Sequence, residues 1–270
     1  MKIIFPMAGL GSRFKAVAES NPEYFKPKPF ISVHGKPMIR WASGSFPFIK
    51  HPGEEITGGL SVSPKDLIFI ILKEHDIEHD IEKNLKKIYS DDITVIKLDA
   101  VTRGATETAL TAEAHIDPDD ELLISDSDHF FDGTNLAHLI QSKDADTAGI
   151  IPVFRARNDG IPKWSYTLTR EGSNHAVHVA EKDPKLMEAG AYANIGAYYF
   201  SKGKYFLDLA KRVIRDNKTF GPSGKAEFYI APLYQELLDT GMKVQVAVIP
   251  EMWGLGTPED LEYFLNHYKQ

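Results

Sequence analysis

Short apolar runs alternate with amphipathic stretches through the first 125 residues, and this alternation leaves few folds open. Lys2 to Met7, Leu67 to Leu72, Ile93 to Leu98 and Leu122 to Ser125 read as strands. The run LIFIIL at Leu67 to Leu72 is apolar throughout, the pattern of a strand covered on both faces. Between the runs, Pro37 to Trp41 opens a helix, with Pro at a first-turn position. Ile77, Ile81, Leu85 and Ile88 share one helical face, and Gly104 to Ala114 forms a further helix. Strand–helix–strand repetition of this kind predicts an α/β fold, with a mostly parallel sheet and helices on both faces.

The second half departs from that rhythm. Strand-like runs at Ala148 to Phe154, Ser165 to Thr169, Ala176 to Ala180 and Ile195 to Phe200 follow one another with few helices between them. An antiparallel portion joined to the parallel sheet is expected. Helices return at Tyr205 to Arg215 and Ile230 to Leu238, followed by a last strand at Lys243 to Ile249. Thr257-Pro258-Glu259-Asp260 marks a helix start: Thr as cap, Pro at the first position, acids in the first turn. Leu261, Phe264, Leu265 and Tyr268 give that helix its apolar face. Ser45 to Pro64 is polar and rich in Gly and Pro, and reads as a surface loop or insertion. With no repeat or linker in view, the 270 residues are expected to form a single domain.

Composition excludes several functions. The chain has no cysteine, so it has no disulfide framework, thiolate nucleophile or Cys-ligated zinc. A hydrophobic fraction of 43% is too high for a disordered tail. A net charge of −7 argues against a broad basic face for nucleic acid, while a local Lys/Arg cluster can still bind an anion. The N-terminus lacks a secretory apolar region, and no run approaches the ~18 apolar residues of a membrane span. No membrane partner and a cytoplasmic location are the expectation.

The first chemical signal is Ala8-Gly9-Leu10-Gly11-Ser12-Arg13 after the first strand. Two glycines let the backbone turn tightly and expose N–H groups to an anion, and Arg13 adds a planar fork for phosphate oxygens. The loop is not a dinucleotide fingerprint, because Phe14 stands where a third small residue is needed, and it lacks the Lys of a P-loop. A nicotinamide oxidoreductase is excluded on that ground. Taken alone, such a loop is equally an ordinary strand-to-helix turn. Pro27-Lys28-Pro29 adds a lysine between two prolines, on a stiff segment. Asp126 and Asp128 follow the fourth strand, where acids serve either as turn residues or as ligands. Asn194 sits within an apolar strand and needs partners. Trp253, Tyr198, Tyr199 and Phe200 read as core. His75 and His79 share a helix face that reads as solvated.

At these residues the sequence resembles the sugar-phosphate nucleotidylyltransferases, or nucleotide-sugar pyrophosphorylases. Gly9-Leu10-Gly11-Ser12-Arg13, Pro27-Lys28-Pro29 and Gly35-Lys36-Pro37-Met38 match three of that family's motifs in order and spacing. The likeness continues through Asp128-His129-Phe130-Phe131, Glu181-Lys182, Ala193 to Tyr198, Glu227-Phe228-Tyr229 and Trp253 to Leu261. It covers nearly the whole chain and is nearest to bacterial surface-polysaccharide types. It implies a Rossmann-like nucleotidyltransferase fold, with a nucleotide-binding part over roughly 1–145 and an antiparallel, sugar-binding part over roughly 146–270.

The reaction implied is transfer of a nucleoside monophosphate from a nucleoside triphosphate to a sugar 1-phosphate, with release of pyrophosphate and with Mg²⁺ as cofactor. Residue by residue, the resemblance assigns the nucleotide to Ala8, Gly9, Leu10, Gly11, Ser12, Arg13, Lys28, Thr102, Gly104 and Ala105. It assigns catalysis to Arg13, Lys28 and Asp128, and the metal to Asp128 with Asp126 as second candidate. It assigns the acceptor to Glu181, Lys182, Asn194, Gly196 and Glu227. One position departs from the pattern: Gly254 stands where the family usually carries a second metal-binding Asp. Two alternatives stay open, a cytidylyltransferase acting on a phosphorylated non-sugar such as phosphocholine, and a catalytically weak nucleotide or sugar-phosphate sensor.

Overall fold

The computed structural model of the chain describes residues 1–53, 56, 59–157, 159–221 and 226–269. Along the chain, β1 (Lys2–Pro6) leads through the short α1 (Ser12–Lys15) to a small hairpin, β2 (Ser32–Val33) and β3 (Lys36–Pro37), and then α2 (Met38–Gly44). Next come β4 (Leu67–Leu72), α3 (Lys73–His79), α4 (Ile81–Ile88), β5 (Thr94–Leu98), α5 (Ala105–Leu110) and β6 (Leu122–Ser125). β7 (His129–Phe131), α6 (Thr134–Ser142), β8 (Thr147–Phe154), β9 (Ser165–Thr169), β10 (Ala176–Glu181), α7 (Pro184–Glu188), β11 (Tyr192–Asn194) and β12 (Ala197–Phe200) follow. The chain closes with α8 (Gly203–Arg215), α9 (Ala231–Asp239), β13 (Lys243–Val248), β14 (Met252–Gly254) and α10 (Pro258–His267).

The main sheet runs β10-β9-β11-β8-β12-β6-β1-β4-β5, with β13 on β8. β6, β1, β4 and β5 are parallel, as the alternating first half requires. β12 then joins β6 antiparallel, and β8 to β12 pair antiparallel among themselves. β13 is the exception in the second half, pairing parallel to β8. Side chains alternate across the sheet and fill two cores. Ile3 and Phe5 face one, packed by Ile39 and Ala42 of α2, Leu85 of α4 and Ile140 of α6. Ile4 faces the other, packed by Ala109 of α5, Phe206 of α8 and Leu233 of α9. Phe5 is fully buried and stacks on Phe69 with ring centres 5.3 Å apart. Truncating such a ring costs about 3–5 kcal/mol. Among the described residues no helix is long and apolar enough to cross a membrane.

Several local expectations are corrected. The helix with the Ile77–Ile88 stripe is two helices, because Asp80 adopts a left-handed φ of 51°. The break turns Ile77 out to 76% exposure, while Ile81 and Leu85 stay buried. His75 is buried rather than solvated, and its pKa is lowered by burial and by the charge of Lys15. Ser45, Phe46, Phe48 and Ile49 are buried, so the stretch read as a surface loop begins inside the core. Residues 54, 55, 57 and 58 of that stretch lie outside the described residues. The run at 195–200 becomes a strand only at Ala197, because Gly196, with a φ of 91°, breaks the chain between β11 and β12. In α10, Thr257 caps as expected, its Oγ1 accepting from Asp260 N at 3.1 Å, but Leu265 points outward.

Candidate active site

In an open α/β sheet, the crevice lies at the carboxyl ends of the strands where the strand order reverses. Here the chain runs outward from β1 to β4 and β5, then returns to place β6 on the other side of β1. The loop Met7 to Gly11 leaves β1, and Asp126 to Asp128 leave β6, at this point. Gly11 has a left-handed φ of 65° and caps α1. Its absent Cβ would lie 3.6 Å from Lys28 Cβ, so the glycine loop packs directly on the Pro-Lys-Pro segment. Gly9 has open space where a Cβ would project, Leu10 is 51% exposed, and Ser12 and Arg13 are also exposed.

Pro27 and Pro29 are buried, and Lys28 begins a short 3-10 turn between them. Its Nζ donates to Asp128 Oδ2 at 2.7 Å. The Asp128 backbone is fixed just before β7: Leu255 N donates to Asp128 O at 2.8 Å, beside the β7–β14 pair. Burial works against the Asp128 carboxylate, yet Lys28, with Arg13 further out, holds its pKa below the usual value. The opposite holds for Asp126. Burial and then the charge of Asp128 push its pKa up to about 7, opposed in part by Lys28. His129 is buried beside them, and burial lowers its pKa to about 4, so it is neutral at pH 7.

Two glycines make room for the two carboxylates. A Cβ at Gly196 would lie 2.5 Å from Asp126 Oδ2, and one at Gly256 would lie 2.5 Å from Asp128 Oδ2. Asp126 N also donates to Gly196 O at 2.9 Å. Gly196 therefore joins the β6 end to the antiparallel part of the sheet. At Gly254, by contrast, the nearest atoms to a Cβ belong to Asp260, at 3.4–3.5 Å.

The donor set suits a hard divalent cation. Two partly buried carboxylates act on each other here: burial, and then the charge of Asp128, hinders ionisation of Asp126, and a cation there would relieve the repulsion. Among the described residues, no group of three or more His, Asp or Glu side chains is placed to hold an ion. A Mg²⁺ ion here would therefore depend on substrate phosphates for much of its shell, as this ion commonly does.

A second polar group lies across β11, β9 and β10. Asn194 and Glu181 fall on one line with Ser165. Ser165 Oγ donates to Glu181 Oε2, and Thr167 Oγ1 donates to Asn194 Oδ1 at 2.7 Å. Burial raises the Glu181 pKa, and Glu181 in turn adds its charge to Asp126. Asn194 is 3% exposed, and among the described residues its Nδ2 makes no well-formed hydrogen bond, its side chain standing beside the Tyr198 hydroxyl. A buried donor of this kind calls for an acceptor from outside. Lys182 follows Glu181 in a left-handed conformation, φ 51°, rare outside Gly and Asn.

The remaining predicted residues form a third group. Thr102, Gly104 and Ala105 lie at the start of α5, where Thr102 Oγ1 and Thr108 Oγ1 stand 2.6 Å apart. Their loop is bonded to Phe228 next to Glu227: Phe228 N donates to Arg103 O and Thr106 N to Phe228 O. Arg103 lies over the Phe228 ring at 4.8 Å. Ser165 and Thr167 were not legible as site residues, since a lone hydroxyl on a strand carries no pattern. Tyr198, read as core, is buried but lies near both Asp126 and Glu181.

A glycine loop, a lysine–carboxylate pair and a polar sheet face at the carboxyl end of a parallel sheet form the arrangement of an α/β enzyme. The family match makes this specific. The sequence matches the model described as nucleotidyl transferase over residues 28–268, and the chain belongs to that family. It is a nucleotidyltransferase. The fold is similar to that of a nucleoside-diphosphate-sugar pyrophosphorylase from Vibrio cholerae RC9, at 22% identity and TM-score 0.74, covering 98% of this chain and 100% of that one. It is similar to a UTP-bound UGPase from Acinetobacter baumannii, at 16% identity and TM-score 0.68, covering 99% and 92%. It is also similar to the inositol-1-phosphate CTP transferase from T. maritima, at 15% identity and TM-score 0.64, covering 100% and 97%. No curated protein matches the sequence significantly.

Proposed function

We propose that this nucleotidyltransferase transfers a nucleoside monophosphate from a nucleoside triphosphate to a sugar 1-phosphate, in the cytoplasm, for surface polysaccharide synthesis. A phosphate oxygen of the acceptor bonds to the α-phosphorus, the α–β bridge breaks, and pyrophosphate leaves. The nucleophile is already anionic, so no base is needed. The obstacle is repulsion between two polyanions, about 4 kcal/mol per like-charge pair at ~4 Å and an effective dielectric near 20. Positioning and neutralisation then carry catalysis.

Ala8 to Ser12 and Thr102, Gly104 and Ala105 hold the nucleotide. Arg13 steadies the departing pyrophosphate. Lys28, already fixed by its prolines, exchanges its Asp128 partner for a substrate phosphate. Asp128, with Asp126, would hold Mg²⁺. When bound, that ion supplies positive charge to the phosphate oxygens. Lys182 receives the acceptor phosphate, while Glu181, Asn194, Gly196 and Glu227 face its remainder. The observation that carries the sugar reading is the row of Asn194, Ser165 and Glu181, with an Asn194 Nδ2 that makes no well-formed hydrogen bond among the described residues. A polyhydroxyl ligand offers oxygens to that donor and hydroxyls to that carboxylate.

A second reading has its own observation. Asp126 and Glu181 are near enough for the charge of Glu181 to act on Asp126. They would also pair with the amine or quaternary ammonium of a phosphorylated amino alcohol, with CTP as donor. The test crosses the common nucleoside triphosphates with sugar 1-phosphates, inositol phosphate and phosphocholine, and follows Mg²⁺-dependent pyrophosphate release. Release with a sugar 1-phosphate supports the first reading, release with phosphocholine the second. Silence with folded protein removes both.

A further inference from the structure

Tyr229 has no role in the account above. Its phenol oxygen accepts a hydrogen bond from Lys182 Nζ at 2.9 Å, and the same ammonium stands 4.7 Å from the centre of its ring. The tyrosine is carried on a stiff support. Phe228 before it and Ile230 after it are buried. The Phe228 backbone is bonded on both sides, its N donating to Arg103 O at 2.9 Å and its O accepting from Thr106 N at 3.0 Å. Gly104 permits that approach, since a Cβ there would lie 2.6 Å from Phe228 N.

Lys182 has a fixed backbone and a free stem. Its N donates to Trp164 O at 2.9 Å, yet its side chain is 41% exposed. A four-carbon stem loses up to about 2 kcal/mol of rotamer entropy when it is ordered. We propose that Tyr229 is a positioning residue, whose hydroxyl holds the Lys182 ammonium in place to receive the acceptor phosphate. This rests on the reading of Lys182 as the acceptor-phosphate lysine. An ammonium has three donors and no acceptor. One goes to Tyr229, and a second faces Glu181 Oε1 at 3.5 Å. The third is left for a phosphate oxygen. Without Tyr229, the ammonium still touches the buried Glu181 carboxylate, which draws it back toward the sheet. Ordering the lysine before the ligand arrives removes its entropy loss from the binding step, so the effect appears in acceptor affinity rather than in turnover.

The test uses the full chain, with glucose 1-phosphate and phosphocholine as acceptor probes. Tyr229→Phe keeps the ring and removes only the hydroxyl. It is expected to raise the acceptor KM at least about 10-fold, the low end for losing a hydrogen bond to a charged group, with kcat and nucleotide KM within about 2-fold. Lys182→Met raises the acceptor KM at least as much, and adding Tyr229→Phe to it has no further effect. Side-chain ¹⁵N spectra of the lysine ammonium groups read the contact without substrate: the slowly exchanging Lys182 signal is lost in Tyr229→Phe. A Tyr229→Phe protein with unchanged acceptor KM, or with the Lys182 signal intact, overturns the proposal. Equal rises in both KM values with a lowered melting temperature also overturn it, as the mark of a purely structural residue. If Lys182→Met leaves the acceptor KM unchanged, the reading of Lys182 itself fails. The ammonium signal decides where neither probe turns over.

Discussion

Lys28 Nζ and Asp128 Oδ2 stand 2.7 Å apart, joining the segment after the glycine loop to the end of β6. The two side chains are 28% and 23% exposed, so solvent in the crevice screens the pair. Such a pair adds little to stability. Its place at the reversal of strand order gives it another use: each partner is held in position until a substrate phosphate or a cation displaces the other.

Lys28→Ala and Asp128→Ala should each reduce kcat by about 10²–10³-fold, the scale for removing one preorganised electrostatic contact. The melting temperature should fall by no more than a few degrees. Steady-state kinetics beside a thermal melt checks both statements.

Asp126 sets a pH dependence. Its folded pKa, about 7, lies above the ordinary carboxyl value because of burial and the charge of Asp128. A raised carboxyl pKa means that the folded state binds the proton more tightly. The associated stability is full at pH below about 4, declines as the pH rises toward 7, and is absent above it. In EDTA, Asp126→Asn should therefore melt about 2–8 °C higher than the parent at pH 8, corresponding to about 1–2 kcal/mol after discounting for crevice solvent. The two proteins should converge at pH 4. Melts across that range give the answer.

Gly256→Ala and Gly254→Ala should separate cleanly. The first places a Cβ 2.5 Å from Asp128 Oδ2 and displaces the carboxylate that Lys28 holds. At least a 10-fold loss of kcat is expected, with little loss of fold because the atom that must move is a side-chain tip. The second has Asp260 as its nearest neighbour, at 3.4–3.5 Å, and should keep activity within about 2-fold. Parallel assays of the two variants make the comparison.

Gly104→Ala should lower stability as well as nucleotide binding. Its Cβ would lie 2.6 Å from Phe228 N, and its φ of 144° disfavours a side chain. Backbone on backbone cannot yield cheaply, so a loss of more than about 2 kcal/mol is expected. Urea denaturation measures it.

Much of this is readable in the sequence, for physical reasons that differ by element. The unbroken apolar run of β4 and the Thr257-Pro258 cap are local signals, and both stand where the sequence places them. The glycine loop and Lys28 were legible because proline and glycine restrict the backbone by themselves. The break at Asp80 was not, because the Ile77–Ile88 spacing is equally good for one helix or two. The burial of Phe46 and Phe48 was hidden by polar neighbours in sequence. Gly196 against Asp126, and Tyr229 against Lys182, are contacts between distant segments, and no spacing within the chain encodes them. Asn194 stood out as an amide in an apolar strand, but its row with Ser165 and Glu181 depends on register, which emerges only when β11, β9 and β10 pair.

The most direct measurement is a ³¹P spectrum of the full chain incubated with Mg²⁺ and the nucleotide–acceptor pair that releases pyrophosphate. The account predicts one new diphosphate ester and an equal amount of pyrophosphate, both absent with Lys28→Ala. Nucleoside diphosphate with inorganic phosphate, or equal product from Lys28→Ala, would contradict it.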